Sequence, residues 1–284
     1  MKQRIITALI LAPLAIASIF LLPLKFFMLC TAAVFLLASK EWGRFVNPLS
    51  SSSSIFYVFG FVLAISLLLL PIDQLWNTEG INPVIFSGLI VAAIWWFFSL
   101  ILVASYPKTS TLWARSKMVK TVFGLFTLLP FFWSMVVLRS VNIHHDFYYG
   151  GALLMFVFLL VWAADTGAYF CGKRFGKHKL APNVSPGKTI EGFLGGAVSS
   201  MLVAFVGRIL FDIPSDKMGL FFAAALITTF VSALGDLSES IFKREANLKD
   251  SGNLLPGHGG ILDRIDSLTA AVPVFALTYL MWLM

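Results

Sequence analysis

Apolar residues dominate long stretches of this chain, and polar residues gather in the short segments between them. Most of the apolar stretches are long enough to cross a hydrocarbon core of about 30 Å. Inside lipid the backbone must satisfy its own hydrogen bonds, so these stretches predict helices, and the alternating pattern of a membrane barrel is absent. The sequence predicts an all-α polytopic membrane protein with about nine transmembrane helices, at 5–22, 24–38, 55–71, 84–104, 120–138, 150–171, 190–211, 218–235 and 266–283.

The composition supports a membrane protein and excludes an ordinary soluble domain. Of the 284 residues, 58% are hydrophobic and only 12% are charged, and the mean hydropathy is +0.87. The two cysteines, Cys30 and Cys171, lack partners at metal-ligand spacing, so both are interpreted as packing residues. The isoelectric point near 9.5 is better explained by basic loops on one side of a membrane than by binding to nucleic acid.

The distribution of charge between the spans predicts the orientation. With nine spans, 17 of the 21 Lys and Arg residues fall on the same side as the N-terminus. The positive-inside rule therefore places the N-terminus in the cytoplasm and the C-terminus outside. The first apolar stretch resembles a secretory signal, but a second stretch follows it almost at once, which favours an uncleaved anchor.

Polar chemistry concentrates in the second half of the chain. Residues 1–140 are predicted to form a scaffold of transmembrane helices, and residues 141–284 a catalytic half with cytoplasmic loops at 172–189 and 236–265, within one integral membrane unit. In the first half, Glu41 and Arg44 follow a span and are interpreted as a solvated or interfacial pair.

The most highly charged segment runs from Gly235 to Asp266 and contains three notable carboxylates. Asp236 follows an apolar run, and Asp263 and Asp266 are spaced i, i+3 in a D-R-x-D pattern. Hard cations such as Mg²⁺ take oxygen ligands, so three carboxylates at two helix ends predict a metal site. Helix capping is an alternative that explains Asp263 well, but it does not explain an acid at the start of an apolar span.

A glycine-rich turn, Pro256-Gly257-His258-Gly259-Gly260, lies just before this pattern. Glycines allow positive φ and close approach to a ligand, and N–H groups at the start of a helix can receive a phosphate. His258 is a candidate acid, base or phosphate donor, or equally a turn residue that orients a neighbour.

The other basic segment, 172–189, would attract a triphosphate or an anionic lipid headgroup, although ordinary positive-inside charge is an alternative. Its end, Ser185-Pro186-Gly187-Lys188-Thr189, resembles part of a phosphate loop. The full pattern is missing and no strand is predicted before it, so a Walker-type fold is rejected. Asp165 lies inside an apolar run near the cytoplasmic end, where a partner such as Lys188 or a place in the wall of an active site is expected.

Two segments resemble the phosphatidate cytidylyltransferase (CDP-diglyceride synthase) family. The match in the segment 240–266 covers 27 residues without a gap, through Ser240, Lys243-Arg244, Lys249-Asp250, Gly252, Pro256, His258-Gly259-Gly260, Asp263-Arg264 and Asp266. The match in the segment 165–192 consists of Asp165, Ala168-Tyr169, Gly172-Lys173, Ser185-Pro186, Lys188-Thr189 and Glu191-Gly192.

The resemblance implies transfer of a cytidylyl group from CTP to phosphatidate with Mg²⁺, and leaves room for a second, monovalent ion. It also implies a homodimer in the bacterial inner membrane, with the site facing the cytoplasm. The expected catalytic residues are Asp236, Asp263, Asp266, Lys249 and His258, of which the three aspartates hold the metal. The expected substrate-binding residues are Asp165, Tyr169, Lys173, Ser185, Lys188, Thr189, Glu191, Ser240, Lys243, Arg244, Asp250, Gly259, Gly260 and Arg264.

Two other functions are compatible with a polytopic membrane protein. A transporter or channel would need polar residues through the bilayer, and the spans offer little beyond Asp165 and Arg208. Another membrane transferase that uses a nucleotide and a lipid, such as a polyprenol kinase, would not need the 27-residue pattern.

Overall fold

The structure is a computed structural model that describes residues 2–48, 53–77 and 80–284. Helices account for most of these residues. In chain order they are α1 (Lys2–Leu21), α2 (Leu24–Val46), α3 (Ser53–Leu69), α4 (Pro83–Ser105), the short α5 (Ser110–Trp113), α6 (Lys117–Ser140), α7 (Tyr149–Phe175), α8 (Ile190–Leu210), α9 (Met218–Glu245) and α10 (Leu262–Trp282).

Two small antiparallel hairpins interrupt the helices. The first pairs β1 (Trp76–Asn77) with β2 (Gly80–Ile81), and the second pairs β3 (Lys179–Ala181) with β4 (Ser185–Thr189). The second hairpin lies where a loop was predicted, and a strand does precede the segment that resembles a phosphate loop. Its two short antiparallel strands do not make the strand–loop–helix unit of a Walker site, so the rejection of that fold stands.

The helical membrane class predicted from hydropathy is confirmed. Within the described part of the chain, each of the nine predicted stretches overlaps one helix and runs at most two residues past its end, and six helices are long and apolar enough to cross a membrane: α4 and α6 to α10. Two shorter apolar helical segments are Leu9–Leu21 and Ser54–Leu69. The number of nine spans and the orientation of the termini stay predictions.

Several helices are longer than predicted, because hydropathy marks where lipid ends and not where a helix ends. Helix α9 continues ten residues beyond 235 and α2 continues to Val46, so the predicted loop at 236–265 is partly helical. Likewise α7 runs to Phe175 and α10 begins at Leu262. At 28 residues, α9 is about 42 Å long and exceeds the hydrocarbon core, so its charged end projects beyond the lipid.

Helix α10 is the centre of the bundle and packs against α9, α6, α4 and α7. Helices α7 and α8 pack closely along a line of small residues. A side chain at Gly196 would meet the backbone oxygen of Ala164, and one at Gly167 would meet Ser199. Small residues are typical of helix contacts in membranes because they let the backbones approach.

Arg139 fixes the end of the molecule opposite the charged segment. It follows the predicted span at 120–138, but the structure places it in the last turn of α6, where it is fully buried. Its guanidinium donates to the carbonyl oxygens of Ile19 at 2.5 Å, Leu22 at 3.4 Å and Phe147 at 3.0 Å. A cation at the carbonyl end of a helix is favourable, so Arg139 ties the C-terminal end of α1 to α6.

Candidate active site

A cavity of about 490 Å³, the ion-pair cavity, opens between α7, α8 and α9 beneath the second hairpin. Helix α7 contributes one acid to its wall, the charged extension of α9 contributes another, and β4 contributes a lysine. The cavity contains six of the predicted site residues: Asp165, Tyr169, Lys173, Lys188, Thr189 and Asp236. The segment that begins at Asp165 is therefore folded against the α9 segment, as a shared site requires.

An ion pair joins the hairpin to α9. Lys188 Nζ lies 2.6 Å from Asp236 Oδ2, and the two side chains are about 30% exposed. Asp165 is close enough to interact with both charges, but Asp236 and not Asp165 is the direct partner of Lys188. The cavity thus offers an accessible carboxylate and an accessible ammonium side by side, which can bind a cation and an anion together.

Thr189 and Glu191 hold the hairpin in place. Thr189 Oγ1 accepts the N–H of Gly192 at 3.1 Å and caps α8. Glu191 accepts the backbone N–H groups of Lys177 at 3.0 Å and His178 at 3.2 Å, and contacts the His178 ring at 2.6 Å. Glu191 does not line the cavity, so its observed role is to fix the base of the hairpin that carries Lys188.

A second cavity of about 470 Å³, the basic cavity, adjoins the first. It contains the predicted residues Ser185, Ser240, Lys243, Arg244 and Lys249. Arg244 Nε donates to the carbonyl of Val184 at 3.1 Å and so draws the hairpin onto α9. Ser240 Oγ lies 3.4 Å from Asp236 Oδ1, which connects this cavity to the ion pair. Three cations around one space favour phosphate groups.

Three carboxylates lie in the region where α9 packs against α10. Asp266 lies beside Glu239 and close enough to Asp236 to interact with its charge, and its Oδ1 accepts the N–H of Ser267 at 2.7 Å. Glu239 is 3% exposed. Its Oε2 receives Lys243 Nζ at 3.0 Å, whereas its Oε1 is buried and has no hydrogen-bond partner among the described residues.

Asp263 lies apart from this cluster. Its carboxylate accepts Lys243 Nζ at 2.9 Å and the backbone N–H groups of Ser251 at 2.9 Å and Gly260 at 2.7 Å. These contacts tie the segment before α10 to its first turn, and they do not cap the helix, because Ser251 and Gly260 precede it. Across residues 2–48, 53–77 and 80–284, no three His, Cys, Asp or Glu side chains form a group that could hold a metal ion. The predicted set of Asp236, Asp263 and Asp266 is not assembled.

The glycine-rich turn forms a third cavity of about 550 Å³, the turn cavity, that contains Lys249, Asp250, His258, Gly259 and Arg264. Arg264 donates from Nε and Nη2 to the His258 carbonyl at 3.2 and 2.8 Å. Gly259 has φ +82°, and an added Cβ would meet the Asp263 carboxylate. Packing against Asp263 therefore explains why a glycine occupies position 259. The hydrogen bonds from Arg264 to the His258 carbonyl fix the shape of the turn.

Glu41 was missed by the sequence reasoning, and its interpretation as a solvated group was wrong. It is 6% exposed and accepts Ser251 Oγ at 3.0 Å and the N–H groups of Ile261 at 3.0 Å and Leu262 at 2.8 Å. Arg44 Nη1 donates to the Ser251 carbonyl at 2.7 Å. Because α2 continues past the lipid-facing stretch, Glu41 reaches the start of α10 and caps it, and Arg44 reaches Ser251, ahead of the glycine-rich turn.

A series of hydrogen bonds and ion pairs connects the first third of the chain to α9. Ser251 bonds to Glu41 through its hydroxyl and to Asp263 through its N–H, and Asp263 bonds to Lys243, which bonds to Glu239. Together these contacts hold the glycine-rich turn, α10 and α9 in one arrangement.

Comparisons with known proteins agree over nearly the full length. A family model described as the cytidylyltransferase family matches residues 2–282. A phosphatidate cytidylyltransferase of Haemophilus influenzae is 41% identical over 285 residues, which covers 98% of each chain. One of Pseudomonas aeruginosa is 40% identical over 276 residues, covering 97% of this chain and 96% of the relative. One of Bacillus subtilis is 42% identical over 153 residues, about half of each chain.

Proposed function

The chain belongs to the cytidylyltransferase family, and on that premise we propose that it transfers the cytidylyl group of CTP to phosphatidate. The products are CDP-diacylglycerol, a precursor of phospholipids, and pyrophosphate. The observation that carries the proposal is the Lys188–Asp236 pair, which lines the ion-pair cavity where the apolar part of α9 ends and is linked to the basic cavity through Ser240.

The reaction requires two anions to meet. A phosphate oxygen of phosphatidate attacks the α-phosphorus of CTP and forms a new P–O bond. The bond from that phosphorus to the oxygen bridging the α- and β-phosphates breaks, and pyrophosphate leaves with the electron pair. A phosphate monoester is a nucleophile near neutral pH, so no covalent enzyme intermediate is needed. Catalysis then consists of positioning the phosphates and neutralising their charge.

The basic side chains divide into fixed and accessible groups. Lys243 is held between Glu239 and Asp263, so its position is set by the protein. Lys188 has one short ion pair, and Lys249 lies at the border of the basic and turn cavities. We assign the accessible lysines, with Arg244, to the phosphates of CTP and of the lipid.

Asp236 and Asp266 are the best carboxylates for Mg²⁺. This ion is usually held by one or two carboxylates, with substrate phosphates and waters completing its shell. Asp266 lies close enough to Asp236 to interact with its charge, where α9 and α10 pack together. When bound, Mg²⁺ would neutralise negative charge on the substrate phosphates. Asp263 is reassigned to positioning, because its oxygens are occupied by Lys243 and by backbone N–H groups.

We also propose that this site faces the cytoplasm, in the inner membrane of a bacterium, and that the enzyme is a homodimer. The excess of basic residues on the side of the N-terminus supports the orientation. So does the hydrogen bond of 3.1 Å from Thr7, near the start of α1, to the Pro256 carbonyl in the turn. The dimer rests on the family resemblance.

The test is release of pyrophosphate by the purified protein in mixed micelles of detergent and phosphatidate. CTP is compared with ATP, GTP and UTP, each with and without Mg²⁺. We expect release only when lipid, Mg²⁺ and CTP are all present, and expect Asp263→Ala to lose it as the turn loosens. Transfer at the parent rate by that variant would contradict the assigned role. A folded sample with no release for any nucleotide would instead favour transport, tested by flux into liposomes.

A further inference from the structure

A fourth cavity, the apolar cavity, has a volume of about 430 Å³ and is lined mainly by hydrocarbon side chains. It lies between the C-terminal end of α4 and the middle of α9 and is closed by the tip of the second hairpin. Residues that define its walls include Leu100, Val103, Tyr106, Val184, Phe230 and Leu237. None of the residues predicted to act in the site lies here.

The rim of the apolar cavity lies on the outer surface of the bundle. Leu100 is 50% exposed and Phe230 is 46% exposed, and each lies within a helix long and apolar enough to cross a membrane. Exposed apolar side chains on such helices contact lipid tails, which are as apolar as leucine itself. The cavity is therefore open to hydrocarbon and not to water alone.

A single layer of side chains separates this cavity from the polar ones. Leu180, Phe193 and Ala233 line both the apolar cavity and the ion-pair cavity, and Val184 lines both the apolar cavity and the basic cavity. The ring of Phe193, in that layer, meets the ring of Phe230, at the rim, edge to face with centroids 4.9 Å apart. An apolar space opening to lipid thus adjoins the cationic space.

We propose that the apolar cavity receives an acyl chain of the phospholipid substrate while its phosphate group enters the basic cavity. The inference rests on the proposed function, since a phosphate joined to hydrocarbon chains needs polar and apolar spaces side by side. A cytosine ring is a poorer occupant, because its amide edge would lose hydrogen bonds among these hydrocarbon walls. Leu100 and Phe230 are then determinants of chain specificity.

The first experiment narrows the mouth of the cavity. Leu100→Trp places an indole at the rim, and Ile101→Trp is the matched control, because Ile101 is 49% exposed and does not line the cavity. Initial rates are measured with dioleoyl and dioctanoyl phosphatidate at a fixed surface fraction in mixed micelles. For Leu100→Trp we expect KM to rise about fivefold or more for the long lipid. A factor of about five corresponds to the lower end of the cost of adding bulk to a packed apolar site.

The short lipid and the control variant should change KM by less than about twofold, as surface substitutions do. Equal effects of Leu100→Trp on both lipids, or no effect on either, would overturn the proposal. A rise in KM for CTP instead would assign the cavity to the nucleotide. If the unmodified enzyme turned over no phosphatidate at all, the proposed function would fail, which is a different result from a loss of chain discrimination.

A second measurement avoids variants. Phosphatidate with a diazirine near the end of one acyl chain is cross-linked to the unmodified enzyme and compared with phosphatidylcholine carrying the same chain. We expect phosphatidate-specific labelling within 100–106 and 230–237. Labelling there by both lipids equally would identify a general lipid contact and overturn the assignment. Specific labelling confined to the outer faces of α7 and α8 would also overturn it.

Discussion

Removing the carboxylate of Glu41 should lower the rate of cytidylyl transfer, although Glu41 lines none of the cavities of the proposed active site. In Glu41→Ala, the N–H groups of Ile261 and Leu262 and the hydroxyl of Ser251 lose a buried acceptor. The hydroxyl can rotate to another partner, but the two N–H groups are fixed by the first turn of α10. Leaving a buried donor unsatisfied costs about 1–3 kcal/mol, so the two together cost about 2–6 kcal/mol.

A penalty near the middle of that range, about 4 kcal/mol, corresponds to almost three decades in the population of the ordered turn. Water entering the vacated space will satisfy part of this demand. We therefore expect kcat/KM for CTP to fall about 30- to 100-fold in Glu41→Ala. Glu41→Gln keeps one acceptor oxygen and nearly the same shape, and should lose only about tenfold.

The assay combines initial rates of CDP-diacylglycerol formation with limited proteolysis. A loosened turn should expose new cleavage sites within 246–261, while the other connections between helices keep their cleavage pattern. Lys40→Ala is the control, because Lys40 is exposed on the same helix beside Glu41. If Glu41→Ala kept its rate within about twofold of the parent and showed no new cleavage, the positioning role would be refuted.

Three further predictions follow from single contacts. Asp236→Asn should slow cytidylyl transfer at least about 100-fold at an unchanged melting temperature, and transfer near the parent rate would remove this acid from the mechanism. Gly259→Ala should destabilise the turn by about 1–2 kcal/mol, because its φ is positive and its Cβ would meet Asp263. Gly187→Ala, where a Cβ meets nothing within 4 Å, is the control, and equal melting temperatures would contradict the argument. Arg139→Leu should lower the melting temperature in detergent but leave the rate per folded molecule unchanged, whereas a selective loss of rate would contradict a structural role.

Hydropathy and spacing were sufficient to find much of the ion-pair cavity. Asp236 was recognised because a charged residue directly follows an apolar run, and Asp165 because an acid within such a run is costly. The structure brings both to one cavity with Lys188. The direct partner of Lys188 could not be chosen from the sequence, since both acids lie far from it along the chain and only the packing of α7, α8 and α9 decides which is nearer.

Local patterns could not distinguish the roles of the acids in the signature. Asp263 and Asp266 have the same chemistry and lie one turn apart, so a shared metal site and a helix cap were both compatible with the spacing. In the structure Asp263 instead holds the turn, because the N–H groups of Ser251 and Gly260 point at its carboxylate. Glu41 was beyond local reasoning for a similar reason: its partners lie 210 to 221 residues away, and no periodicity connects such distant positions.

The contact between Glu41 and α10 also sets an order for making the protein. The acid is synthesised 221 residues before Leu262, which corresponds to roughly 10–40 s at ordinary rates of translation. Throughout that interval its carboxylate must remain hydrated or find temporary partners. The turn can close only when the last helix has been made and inserted. A ribosome-bound chain that lacks α10 is therefore expected to be catalytically silent, so a newborn molecule acquires activity in a single late step of its biogenesis.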